Sequence, residues 1–143
     1  MNTIYTAKTK TTAGRAGHAK SVDKGPIDQN LSVPREMGGD GASGANPEQF
    51  FGAAYSACFG GAVELVAGQQ KVEIGDDFSV EAHVSIGKDD SGLLLEVALD
   101  TYLPKVNDKS TGEKIINEAH KICPFSKATR GNVEVTLNLL LDD

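Results

Sequence analysis

Cysteine is scarce in this chain, with two in 143 residues. Two thiols are too few for the disulfide framework of a small secreted domain. They are also too few for a four-cysteine zinc site or an iron–sulfur cluster within one chain. Basic charge is short as well. Lys and Arg total 14 against 20 Asp and Glu, a net charge of −6, which argues against a surface for nucleic acid or for an anionic membrane. The start of the chain, Met1 to Arg15, holds no apolar run of signal-peptide type. A reducing compartment, the cytoplasm, is therefore expected, where two free thiols are either packing groups or chemistry. The three histidines, His18, His83 and His120, form neither H-x-x-x-H nor H-E-x-x-H, so no metal centre is expected. His120-x-x-Cys123 alone is a weak ligand pair.

The length suits one domain over 1–143, large enough for a single core. With 39% hydrophobic and 24% charged residues, the composition is that of a soluble globular protein. Along the chain, Ile4 to Thr11 reads as a weakly alternating strand. Gly14 to Gly17 is a turn, and His18–Asp23 and Gln29–Val33 are returning strands. Residues 38–46 form a loop containing G-x-G-x-x-G. No apolar strand feeds it and no βαβ unit follows, so it reads as a helix-entry loop and not as a dinucleotide fingerprint.

Asn46 as N-cap and Pro47 at the first helical position open a helix over Glu48–Ala67, with Gly68 as its stop. This helix is apolar nearly all round and is expected to be buried. Its uncharged part, Gln49–Val63, is shorter than the roughly 20 residues that span a bilayer. Phe78–Lys88 and Leu93–Leu103 alternate as a hairpin around Asp89–Gly92. Leu93, Leu95, Val97 and Leu99 face inward in the second of these strands. Ser110-x-x-Glu113 reads as a capping box for a second helix with a stripe of Ile115, Ile116, Ala119 and Ile122, ended by Pro124. Ser126–Asn132 is a polar connection and Val133–Leu141 a last strand. The fold class is α+β, with mainly antiparallel sheets packed around a long buried central helix. One thin sheet cannot cover such a helix on every side, so a homodimer is expected.

A cysteine in an apolar helix, such as Cys58, is ordinarily a small hydrophobe. Mid-helix placement gives its thiol no help from a helix terminus, so activation needs a nearby cation. Cys123 sits at a helix end, where a thiol can be reached. Arg15, Arg35 and Arg130 are the arginines available, and each by default is a solvated surface charge.

Two long motifs change that balance. Asn46-Pro47-Glu48-Gln49-Phe50-Phe51-Gly52-Ala53-Ala54-Tyr55-Ser56-Ala57-Cys58-Phe59 resembles the first signature of the organic hydroperoxide resistance proteins of the Ohr/OsmC superfamily. Ala119-His120-Lys121-Ile122-Cys123-Pro124-Phe125-Ser126-Lys127-Ala128-Thr129-Arg130-Gly131-Asn132 resembles the second. Gly14-Arg15 and Leu31 to Gly39 also fit, and the resemblance covers nearly the whole chain. It implies an OsmC-like, intertwined homodimer with thiol peroxidase activity and no haem, flavin or metal cofactor. By the same resemblance Cys58 is the peroxidatic cysteine, Cys123 the resolving cysteine, Arg15 the catalytic arginine and Glu48 its carboxylate partner. The implied partners are an organic hydroperoxide and a dithiol reductant of lipoylated-protein type. Phe50, Phe51 and Tyr55 are candidates for the wall that holds the alkyl part of the substrate, with core packing as their alternative role.

Glu48 and Cys58 are ten residues apart, about 15 Å of rise on one helix. A site shared by both is expected to be built across two chains. Two other readings stay open from the residues themselves: a binding module for an apolar ligand with inert thiols, and a Cys–His hydrolase.

Overall fold

A computed structural model of the chain describes residues 1–142. Asp143, the last residue of the domain expected over 1–143, lies outside the described residues. Contacts group the chain into two compact units, Met1–Phe50 and Phe51–Asp143.

The first unit carries a three-stranded antiparallel sheet in the order β1 (Thr9–Thr12), β2 (His18–Ser21), β3 (Asp28–Asn30). Strand β1 begins at Thr9 and not at Ile4. It pairs with β2 only from Thr9↔Ser21 to Thr12↔His18, while Ile4 and Tyr5 stay exposed. A short 3-10 turn, Gly14–Ala16, joins β1 to β2. The loop over residues 38–46 is closed on itself by Ser32. The Ser32 hydroxyl donates to the Ala42 and Gly44 carbonyls (2.7 and 3.0 Å) and accepts from the Gly44 N–H (2.9 Å). That loop feeds helix α1 (Pro47–Gln70). The Asn46 side chain accepts from the Gln49 N–H at 2.8 Å, and Gln49 Oε1 accepts from the Asn46 N–H at 3.0 Å. This reciprocal cap, with Pro47 behind it, fixes where the helix starts.

Helix α1 runs past Gly68 to Gln70. Its end is made by Lys71 in the left-handed region (φ 57). Lys71 N–H bonds the Gly68 carbonyl and Val72 N–H bonds that of Ala67, which keeps Gly68 inside the last turn. The helix has 24 residues and a mean hydropathy of 1.4 over its most apolar stretch, so by length and composition it passes for a membrane span. Packing accounts for that apolarity along one face only. Tyr55, Phe59, Ala62, Val63, Val66 and Ala67 are buried, whereas Ala53, Ala54, Ala57, Gly61 and Leu65 are exposed. Burial all round is therefore not met within one chain, because one sheet and its helices cover one side of a cylinder.

In the second unit β4 (Ser79–Asp89) and β5 (Gly92–Tyr102) form an antiparallel hairpin, and β6 (Glu134–Leu140) lies parallel to β5. Val97 and Leu99 of β5 are buried, and Val80, Ala82, Val84, Val135, Leu137 and Leu139 pack against the same core. Leu93, expected inward, is exposed at the far end of the hairpin. Helix α2 (Lys109–Ile122) buries Ile115, Ile116 and Ala119, while Ile122 turns outward. The expected capping box is not the cap. Asp108 is the N-cap, and its carboxylate accepts the Thr111 N–H at 2.8 Å and the Thr111 hydroxyl at 2.6 Å. A carboxylate at that place also meets the positive end of the helix dipole, an advantage Ser110 lacks. Gly112 lies against β6, where a Cβ would come 2.6 Å from Leu139 Cδ2. Pro124 ends α2 and also opens helix α3 (Pro124–Thr129), which replaces the first part of the expected polar connection. Proline fits both roles, since the first helical position needs no N–H.

Candidate active site

Two clusters hold the residues singled out above. In the first unit, Arg15 is presented by the 3-10 turn, which Gly14 enters with φ 57. A Cβ on Gly17, which ends that turn, would overlap the Thr12 carbonyl. Arg15 grips Glu48 end-on: Nη1 donates to Oε2 at 3.0 Å and Nη2 to Oε1 at 2.7 Å. The two-point geometry fixes the guanidinium plane as well as its distance. Arg15 Nη1 also lies 4.0 Å from Met37 Sδ, within the Leu31–Gly39 stretch of the resemblance but given no role by it. The hydrogen bonds from Arg15 hold the Glu48 carboxyl below its ordinary range, against the opposing effect of burial. The same contact raises Arg15 further above neutrality. Side-chain exposure is 39% for Arg15 and 13% for Glu48, so the carboxylate is the anchored partner and the guanidinium keeps an open side.

In the second unit, Cys58 and Cys123 are both free thiols with their sulfurs 3.7 Å apart. Cys58 projects from the middle of α1. Cys123 occupies the break between α2 and α3 in extended geometry (φ −59, ψ 125), with its N–H on the Ala119 carbonyl. Exposure is the reverse of that expected, because Cys123 is fully buried and Cys58 is partly exposed. Burial raises the Cys58 thiol, and the backbone N–H of Phe125 pulls it the other way. A thiol held up in this manner needs a further positive group before much thiolate forms.

The aromatic candidates divide. Tyr55 is fully buried, and its ring packs against Phe51 and Phe125 with centroids 6.0 and 5.8 Å away. Phe51 also meets Phe125 edge-on at 6.3 Å. Phe125 therefore packs with both aromatic candidates of α1, and its backbone N–H reaches Cys58. Its sequence signal is its place two residues after Cys123. Phe50 is half-buried in the first unit. Behind the thiols, the Ser126 hydroxyl lies 2.9 Å from Tyr55 OH and 2.9 Å from His120 Nδ1. Burial, with Arg130 adding to it, lowers the His120 imidazole below its ordinary value. Among the described residues no group of three or more His, Cys, Asp or Glu is placed to hold a metal ion.

Similarity to known proteins agrees with this arrangement of elements. The family model described as OsmC-like protein matches residues 38–138. An organic hydroperoxide resistance protein of Xanthomonas axonopodis pv. citri is 45% identical over 136 residues, covering 95% of this chain and 94% of that protein. The crystal structure of OhrB, an organic hydroperoxide resistance protein of Bacillus subtilis, superposes with a TM-score of 0.86 at 43% identity, over 96% of this chain and 100% of the other. That of an organic hydroperoxide resistance protein from Elizabethkingia anophelis reaches 0.91 at 40% identity, over 99% and 100%. The chain belongs to the OsmC-like family, in its organic hydroperoxide resistance branch.

Proposed function

We propose that this protein confers resistance to organic hydroperoxides by acting as a two-cysteine thiol peroxidase. The observation that carries the reading is the 3.7 Å approach of the two free sulfurs, because a disulfide forms when such a pair closes to about 2.05 Å. The Cys58 thiolate attacks the distal oxygen of ROOH. The O–O bond breaks, the alkoxide takes a proton and leaves as alcohol, and Cys58 becomes a sulfenic acid. Cys123 sulfur then attacks Cys58 sulfur, and the sulfenic hydroxyl leaves as water with the Cys123 proton. A dithiol, of lipoylated-protein type, reduces the disulfide by exchange and is itself oxidised. That reset suits a reducing cytoplasm.

The partial exposure of Cys58 and the burial of Cys123 suit these two roles. Peroxide needs access to the first sulfur only, and a shielded second thiol is spared direct oxidation. The Phe51–Tyr55–Phe125 cluster supplies apolar surface for the alkyl group. An apolar wall favours alkyl and lipid hydroperoxides over hydrogen peroxide.

The positive group that Cys58 requires is assigned to Arg15, oriented by Glu48 and supplied by a second copy of the chain. Two observations support a homodimer. Glu48 and Cys58 lie on one helix, ten residues and about 15 Å of rise apart. The small-residue face of α1, Ala53 to Leu65, is left uncovered in one chain. In this setting Arg15 stabilises the thiolate and donates hydrogen bonds to the peroxide oxygens. The test is dithiol-coupled turnover of tert-butyl hydroperoxide. Cys58→Ser is expected to abolish it, and full activity in that variant contradicts the proposal.

A further inference from the structure

If the site is a peroxidase, as proposed above, its second step races against a second peroxide. Cys58 sulfenic acid either meets the Cys123 thiol or is oxidised onward to sulfinic acid. Closing requires the Cys123 sulfur to travel about 1.6 Å, from its 3.7 Å contact to bond length. Cys123 has non-helical dihedrals in the break between α2 and α3, although its N–H bonds the Ala119 carbonyl and its carbonyl accepts from the Lys127 N–H. A buried hydroxyl spans that break as well. Ser126, fully buried in α3, lies 2.9 Å from His120 Nδ1 on α2 and 2.9 Å from Tyr55 OH on α1. Tyr55 stands three residues before Cys58, and His120 three residues before Cys123. Each is therefore one helical turn away from a thiol. Tyr55 OH is also 3.2 Å from Thr129 Oγ1, which donates to the carbonyls of Phe125 and Ser126 at 3.0 and 3.1 Å. The Arg130 guanidinium holds the His120 carbonyl at 2.6 Å from the other end of α3.

We propose that Ser126, clamped between Tyr55 and His120, is a positioning residue for disulfide closure, holding the Cys123 turn within reach of Cys58. The clamp acts on the partition of the sulfenic acid and touches neither peroxide nor the reacting sulfurs. Removing the hydroxyl leaves the part-buried His120 Nδ1 without its side-chain partner and leaves Tyr55 OH only the longer 3.2 Å contact with Thr129 Oγ1. The neutral imidazole favoured by the His120 surroundings can accept the Ser126 proton at Nδ1, which leaves the Ser126 oxygen to accept from Tyr55.

The experiment is a single turnover of the full chain with one equivalent of organic hydroperoxide, in wild type and Ser126→Ala. It follows sulfenic acid formation, disulfide formation and the sulfinic fraction under excess peroxide. In Ser126→Ala the ratio of closure rate to sulfenic formation rate should fall about tenfold, the factor one lost hydrogen bond corresponds to, and sulfinic acid should accumulate. A second pair guards against a folding artefact. His120→Asn keeps a polar atom near the Nδ1 position and should restore most of the ratio, whereas His120→Leu should not. A merely structural role would lower thermal stability in both His120 variants without separating their ratios. An unchanged ratio in Ser126→Ala overturns the clamp while leaving the peroxidase reading intact. A wild type that forms no sulfenic acid and no disulfide overturns both.

Discussion

Cys58 on helix α1 and Cys123 in the break between α2 and α3 are 65 residues apart in the chain, yet their sulfurs lie 3.7 Å from each other with both thiols reduced. The contact is prepared from both sides. Helix α1 carries Cys58 in rigid mid-helix geometry, and Pro124 forces the extended turn that aims Cys123 at it. A reduced pair already near contact distance pays little conformational entropy to close.

The two thiols are therefore expected to behave unequally. Cys123→Ser should leave one fast reaction with organic hydroperoxide, followed by stalling and over-oxidation of Cys58. Titration of thiols against added peroxide checks this. Wild-type turnover in Cys123→Ser, with no sulfinic product, contradicts the resolving role.

Removing the Arg15 guanidinium should cost about 100-fold in kcat, the scale of losing one preorganised charged donor. Burial holds the Cys58 thiol up, so Arg15→Met should also shift the pH–rate profile to higher pH, because less thiolate forms at neutrality. Arg15→Lys should recover the charge but not the two-point grip on Glu48. Stopped-flow rates across pH 6 to about 10 separate these outcomes, and an unshifted profile in Arg15→Met contradicts the assignment.

The Arg15–Glu48 pair should also make the first unit acid-sensitive. The Glu48 carboxyl is held below its ordinary range, so the folded state binds that proton less readily than the unfolded chain does. The stabilising contribution is fully present above the ordinary glutamate value of about 4.3 and is lost as pH falls through the lowered folded value. Comparing acid denaturation of wild type and Glu48→Gln should show the difference vanish at the acid end and persist at neutral pH.

The start of α2 offers a sharper structural test. Asp108→Ala should destabilise the protein by about 1 kcal/mol, the usual cost of a lost N-cap. Ser110→Ala and Glu113→Ala should each fall within about 0.5 kcal/mol of wild type. Urea melts rank the three, and a large effect at Ser110 would restore the capping box. Gly112→Ala, by contrast, should cost about 1–3 kcal/mol through overpacking against Leu139.

Reading the chain as sequence succeeds where local chemistry decides. The Asn46 cap, the Pro47 start, the Gly14–Gly17 turn and the β4–β5 hairpin all depend on near neighbours. It fails where a distant partner or a competing neighbour decides. Gly68 looks like a stop, but the carbonyls of Ala67 and Gly68 are taken by the N–H groups of Val72 and Lys71 respectively. Ser110 and Glu113 fit a capping pattern, but Asp108 two residues earlier is the stronger acceptor. Pro124 reads as a breaker, and its second role as the first residue of α3 shows only in three dimensions. The site follows the same rule. The cysteines are visible as motif residues, but the burial of Cys123, the aromatic contact of Phe125 and the Ser126 hydroxyl network require the packing of α3 against α1.

The most direct measurement is intact mass of the wild-type chain after one equivalent of tert-butyl hydroperoxide under denaturing, alkylating conditions. A two-cysteine peroxidase yields a product two hydrogens lighter than the reduced chain, unreactive to alkylation, and restored to two free thiols by a dithiol. A chain of unchanged mass with both thiols still alkylated contradicts that reading.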